Sequence, residues 1–158
     1  CRAGQHWVSA GVRFEVLHPA RSSSAEGNAA SCVVRVSAGS YGMLLTGDIE
    51  AGSEYRLIRN GAPLASDIVV VPHHGSLTSS TVPFTDSVRP AYAVVSAGFG
   101  NRWGFPKPRV VERWRAVGAR VLNTASSGAV YFRVCSRKGV VAVGRERQLR
   151  HRFWHARG

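Results

Sequence analysis

Two apolar runs in this chain stop abruptly at side chains that bind metal ions. Met43 to Thr46 is followed by Gly47 and Asp48, and Asp67 to Val71 is followed by Pro72, His73 and His74. A short buried strand delivers its last side chain to one edge of a sheet. Neighbouring strands ending in Asp and His can therefore bring a carboxylate and an imidazole to one ion. One carboxylate can bridge two cations, and neutral imidazole binds zinc or manganese through one nitrogen while a neighbour orients the other. Gly47 and Gly75 let the backbone turn tightly beside these groups. Ser76, Thr78, Ser79 and Ser80 come next, with hydroxyls that can donate hydrogen bonds to an anionic substrate. A lone T-G-D is ordinarily a turn whose Asp caps the following helix. Its pairing with H-H-G-S at the next strand end favours the ligand reading.

The elements that must position these residues follow from local pattern. Val12 to Leu17 alternates apolar and polar residues as a half-buried strand, ended by His18-Pro19, and residues 20–31 are small and polar, as in an exposed loop. Cys32 to Ser37 and Tyr41 to Thr46 predict two strands of a hairpin around Ala38-Gly39-Ser40. A helix is expected just after Asp48, with Glu50 and Glu54 early, Tyr55, Leu57 and Ile58 at helical spacing, and Asn60-Gly61 closing it. Asp67 to Val71 and Ala91 to Ser96 read as buried strands, with a short helical turn over Pro83 to Val88 between them. Pro108 suits a first helical turn, and Val110, Val111, Trp114 and Val117 recur at helical spacing before Gly118. Arg120 to Leu122, Ala129 to Val134 and Val140 to Val143 read as three more strands. Residues 1–144 make one domain and residues 145–158 a basic tail. Strands alternating with helices, with ligands at the strand ends, favour a layered α/β (α+β) hydrolase.

Charge narrows the partner. Lys and Arg outnumber Asp and Glu by 21 to 9 in 158 residues, a net charge of +12, which suits a polyanion such as nucleic acid or an anionic membrane surface. Cys1, Cys32 and Cys135 form no C-x-x-C pair; their odd number argues against a dense disulfide framework, although one bridge involving Cys1 is possible. Cys32, opening an apolar run, reads as a buried thiol. His18 reads as a structural hydrogen-bonding residue and His6 as surface. His151 and His155 are spaced to chelate on a helix but read as part of a solvated tail. Trp103 can stack on a base, Trp114 reads as packing, and Trp154 as an amphipathic anchor. No apolar run reaches membrane-spanning length.

LLTGDIE, VPHHGS, VVSAG and NRWGFPKP, in this order, together with FEVLHP and the stretch Asn28 to Val36, resemble the later half of a metallo-β-lactamase-type domain. In detail the chain resembles the C-terminal domain of the ComEC family of DNA-uptake proteins of natural competence, from about Cys1 to Val134. The resemblance implies an αββα sandwich with its metal centre along one sheet edge. It implies Asp48 and His73 as metal ligands for zinc or manganese and His74 as a group behind the ligands or a contact to substrate phosphate, the three together being the catalytic residues and the split between the two histidines staying open. Asn28 or Ser31 becomes a residue lining the site, and Asn101, Arg102, Lys107 and Ser76 become substrate contacts. The implied activity is metal-dependent phosphodiester hydrolysis of incoming DNA, with no small-molecule cofactor. The other partner is the transmembrane portion of a parent protein in the bacterial inner membrane.

The chain departs from the pattern in two places. The superfamily's H-x-H-x-D-H motif is absent: His6 and His18 stand alone. The expectation is a domain that begins partway through, with half a metal site and no activity by itself. Phe105 and Lys107 also stand where the family often carries histidine. The competing expectation is a non-catalytic DNA-binding or interaction module of the uptake machinery.

Overall fold

A computed structural model describes residues 1–135 and 139–150. His151, Trp154 and His155 of the basic tail lie outside the described residues. Seven strands form one mixed sheet in chain order: β1 (His6–Ser9), β2 (Val12–His18), β3 (Val33–Ala38), β4 (Tyr41–Leu45), β5 (Ile68–Val70), β6 (Tyr92–Val95) and β7 (Arg120–Asn123). Neighbours from β1 to β4 are antiparallel, and β4 to β7 run parallel. Parallel neighbours need crossovers. Helices α1 (Ala51–Arg59), α2 (Val82–Val88) and α3 (Pro108–Ala116) supply them. The parallel arrangement puts the C-terminal ends of β4, β5, β6 and β7 on one sheet edge, so the segments following each of them meet there.

The register decides which face meets the helices. Leu44, Val69 and Ala93 are cross-strand partners, all fully buried, and they form one core with Leu57 of α1, Phe84 and Val88 of α2, and Val110 and Trp114 of α3. Trp114 packs edge-to-face on Phe84 with ring centroids 6.3 Å apart, and its indole Nε1 donates to Ser80 Oγ at 3.1 Å. Burying an indole removes roughly 200 Å² from water, about 5 kcal/mol by area. The other face carries Met43, Ile68 and Tyr92. A hairpin of β8 (Val130–Cys135) and β9 (Gly139–Arg145) lies over it: Phe132 meets the Tyr92 ring at 5.4 Å, and Val134 and Val140 line a cavity of about 220 Å³ with Met43 and Ile68. The layering is helices, mixed sheet, hairpin. This is a mixed α/β architecture with few helices, as the alternation of elements predicts. Two four-residue helices, α4 (Thr124–Ser127) and α5 (Glu146–Leu149), flank the hairpin.

Two differences from the sequence reading have clear causes. β1 was not expected, because all four of its residues are exposed and carry no burial pattern. It is held by pairing to β2 and by Trp7 stacking on Phe14 at 5.0 Å. Cys32 is not a buried thiol: it is exposed and bonded to Cys1, while Cys135 is free. His18 is buried and bonds Ala29 O through Nε2 at 2.9 Å, the structural role expected of it, and His6 is on the surface.

Candidate metal-binding edge

Asp48 follows β4 in a tight turn. Gly47 adopts φ +55 there, and a Cβ at that position would lie 3.0 Å from Ser31 Cβ. Ser31 Oγ accepts the Asp48 amide at 3.2 Å, and the helix that follows takes Glu50, not Asp48, as its N-cap residue. Asp48 is therefore not spent on capping. His73 and His74 follow β5 in a turn where both adopt left-handed backbone (φ 47 and φ 55). That conformation costs a non-glycine residue about 1–2 kcal/mol, and such strain concentrates where function needs it. Gly75 follows with φ +84, and any Cβ there would come within 2.6 Å of Pro106 Cβ. The His73 amide donates to Gly47 O at 3.1 Å, tying the two turns together.

The side chains fall into two carboxylate–histidine pairs. His74 Nε2 lies 3.6 Å from Asp48 Oδ1, and His73 Nδ1 lies 3.3 Å from Glu50 Oε1. The family resemblance favours His73 as the ligand; in the structure it is His74 whose ring lies beside Asp48, while His73 lies beside Glu50. A backbone carbonyl only accepts, so the 2.6 Å contact of His74 Nδ1 with Ser96 O fixes the proton on Nδ1. In the neutral ring Nε2 is then a bare lone pair facing a carboxylate oxygen, two acceptors converging with nothing to share. A cation resolves such a pair. Thr78 Oγ1 donates to Glu50 Oε1 at 2.9 Å and lies 3.2 Å from His73 Nδ1. With Glu50 beside it, that nitrogen carries the proton, which leaves Nε2 of His73 bare as well.

The remaining candidates are placed as follows. Asn28 sits in a 3-10 turn (Gly27–Ala30), and its carbonyl accepts from the amide of Ser31, the residue behind Asp48. Ser76 is buried and bonds Thr78 through both the amide and Oγ1. Asn101 braces the loop after β6: its side chain donates to Gly98 O and Phe105 O and accepts from Phe105 N. Arg102 lies over the Trp103 ring at 4.5 Å, and Lys107 Nζ donates to Trp103 O at 2.6 Å. Phe105 packs 6.0 Å from the His73 ring and 6.5 Å from that of His74, an apolar cap on both imidazoles. A cleft of about 410 Å³ opens beside His74, walled by Ser96, Ala97, Gly98, Asn101, Trp103 and Phe105. The sequence presents Glu50 as a helix acid; its place two residues beyond Asp48 is the signal that also sets it at this edge, beside His73 and Thr78.

The donor types fit a divalent metal; their number does not. Catalytic zinc takes three protein ligands and a water. Among the described residues no group of three or more His, Cys, Asp and Glu side chains lies close enough to hold one ion. A buried carboxyl group appears elsewhere, at Glu54, which is fully buried and accepts the Ser80 and Thr81 amides at 2.5 and 2.8 Å. Desolvation raises its pKa above the usual 4.5, against the opposing pull of those amides and of Arg113.

No family model matches the chain. It is 42% identical over 131 residues to "Competence protein ComA" of Neisseria gonorrhoeae, which covers 82% of this chain and 19% of that protein. It is 39% identical over 130 residues to "Recombination protein 2" of Haemophilus influenzae, 82% of this chain and 16% of the relative. It is 31% identical over 132 residues to "ComE operon protein 3" of Bacillus subtilis, 84% of this chain and 17% of the relative. The chain thus spans under a fifth of the length of these three relatives. Among the described residues no helix is long and apolar enough to cross a membrane. The chain is homologous to one segment of each of these larger proteins, one of them named a competence protein.

Proposed function

We propose that this chain is part of a bacterial DNA-uptake protein, a metallo-β-lactamase-like domain that hydrolyses phosphodiester bonds of incoming DNA with a divalent metal. The observation that carries this reading is the convergence of Asp48 and the bare Nε2 of His74 at 3.6 Å on the C-terminal edge of the parallel strands. A divalent ion at such an edge supplies Lewis acidity toward a phosphoryl oxygen and a nucleophilic water near neutral pH. Asp48 and His74 contribute donors, and Glu50 and Thr78 hold the His73 ring through Nδ1. Because the chain carries no H-x-H-x-D-H motif, this reading has it bind metal weakly and turn over no DNA by itself. The net charge of +12 supports DNA as the partner, because cationic contacts release counterions from phosphates. The parent would be an inner-membrane protein with its transmembrane portion as the other partner. The incomplete donor set also favours a second reading, a DNA-binding module without catalysis.

Hydrolysis of DNA in manganese or zinc decides between them, run on this chain and on the whole protein that the proposal makes it part of. Activity of the whole protein that disappears in Asp48→Ala supports the phosphodiesterase. DNA binding with no hydrolysis in either protein supports the module.

A further inference from the structure

Phe99 and Trp103 are large aromatics left mostly in water, 62% and 57% exposed, four residues apart on the loop that follows β6. The loop is fixed rather than loose. Asn101 bonds the backbone at Gly98 and Phe105, and Lys107 Nζ bonds the backbone at Trp103. Each ring is paired with a guanidinium: Arg102 lies 4.5 Å from the Trp103 centroid and Arg147 lies 5.4 Å from that of Phe99. Trp103 also walls the cleft beside His74. From the rim inward the rings are nearly parallel, Trp103 to Phe105 at 11° and Phe105 to His74 at 24°.

We infer that Phe99 and Trp103 form a stacking subsite for unpaired nucleobases, next to the proposed phosphodiester-cleaving edge and resting on that reading. An exposed ring with a guanidinium lying over it is a flat cationic platform, which suits a ligand that is flat and apolar on one part and anionic on another. A nucleotide with its base free is such a ligand: the base stacks, and the phosphates meet Arg102 and Arg147. Paired bases inside a duplex present no free faces. An apolar ligand would not require the cations, and a phosphate alone would not require the rings. The subsite therefore selects strands whose bases are unpaired where they pass Trp103, and it tolerates any sequence, since every base has a π-face.

The test is metal-free binding of this chain to three fluorescent probes at matched length: oligothymidylate, the same backbone without bases, and a duplex. Oligothymidylate is expected to bind on the order of 10-fold tighter than the abasic backbone for each stack made. Trp103→Ala should bring its affinity toward that of the abasic strand, with the salt dependence kept, and Trp103→Phe should retain most of the preference. Equal affinity of the unmodified chain for oligothymidylate and the abasic strand would overturn the stacking subsite and leave the phosphodiester reading standing. No binding of any probe at low salt would overturn both.

Discussion

Replacing Glu54 by alanine perturbs the turn that stands behind the candidate site, and the structure sets the size of the effect. Glu54 is fully buried on α1, and its two oxygens accept the amides of Ser80 and Thr81. Ser80 itself is held at φ 57, with its hydroxyl bonded to Trp114 and its carbonyl accepting from Arg113. Alanine strands both amides, at about 1–3 kcal/mol each, and removes one buried methylene at about 0.8 kcal/mol. Relief of the carboxyl's desolvation offsets part of this, so the expected net loss is about 3 kcal/mol. For a chain of this length that lowers Tm by roughly 6–12 °C. The pH dependence has a definite sign. Burial raises the folded pKa above 4.5, so folding favours the protonated carboxyl. The stability it contributes is complete below pH 4.5 and declines as pH rises through the raised value. The gap between the unmodified chain and Glu54→Ala should be widest in acid and narrow toward neutrality. Urea unfolding followed by tryptophan fluorescence at about pH 4 and about pH 7.5 reads both quantities. A loss under about 1 kcal/mol at both, or a gap that widens with pH, would refute the assignment of Glu54 as the buried anchor of this turn.

Further outcomes are expected at the site. Gly75→Ala combines a positive φ with a 2.6 Å approach to Pro106, so it should destabilise by about 3 kcal/mol in denaturant titrations and displace both histidines. Asp48→Ala should abolish metal-dependent hydrolysis in the whole protein while changing stability by less than about 0.5 kcal/mol, since the side chain is 42% exposed and does not cap α1. Replacing Arg102 and Lys107 together by alanine should flatten the salt dependence of single-stranded DNA binding by about 1.4 in log–log slope; an unchanged slope removes the loop from the phosphate contacts.

What the sequence reveals here is what local pattern encodes. The parallel strands are legible because Asp67 to Val71 and Ala91 to Ser96 are short apolar runs with polar stops. The candidate edge is legible because Met43 to Thr46 and Asp67 to Val71 stop at Asp48 and at His73 and His74, side-chain types that can bind a metal. Trp114 was readable as packing from its helical spacing. Which histidine lies beside Asp48 was not, because that turns on two successive left-handed residues that nothing in P-H-H-G dictates beyond the glycine. Nor was the burial of Glu54: in a helix it looks like any early acid, and only the Ser80 and Thr81 amides, 26 and 27 residues away, make its place. The Cys1–Cys32 bridge could not be chosen from three cysteines without a fold to bring two of them together. The Arg147–Phe99 contact likewise joins residues distant in sequence, and β1 depends on its pairing with β2.

The most direct measurement is the effect of manganese on the histidine ring signals of this chain by NMR. If Asp48 and His74 Nε2 face a shared cation position, His74 should broaden first on substoichiometric addition, followed by His73, whose ring lies 6.3 Å from that of His74. His18, whose Nε2 is bonded to Ala29 O, should stay sharp, and the selectivity should vanish in Asp48→Ala. Broadening of His6 as early as His74, or no broadening of either site histidine, would contradict a metal-binding role for this edge.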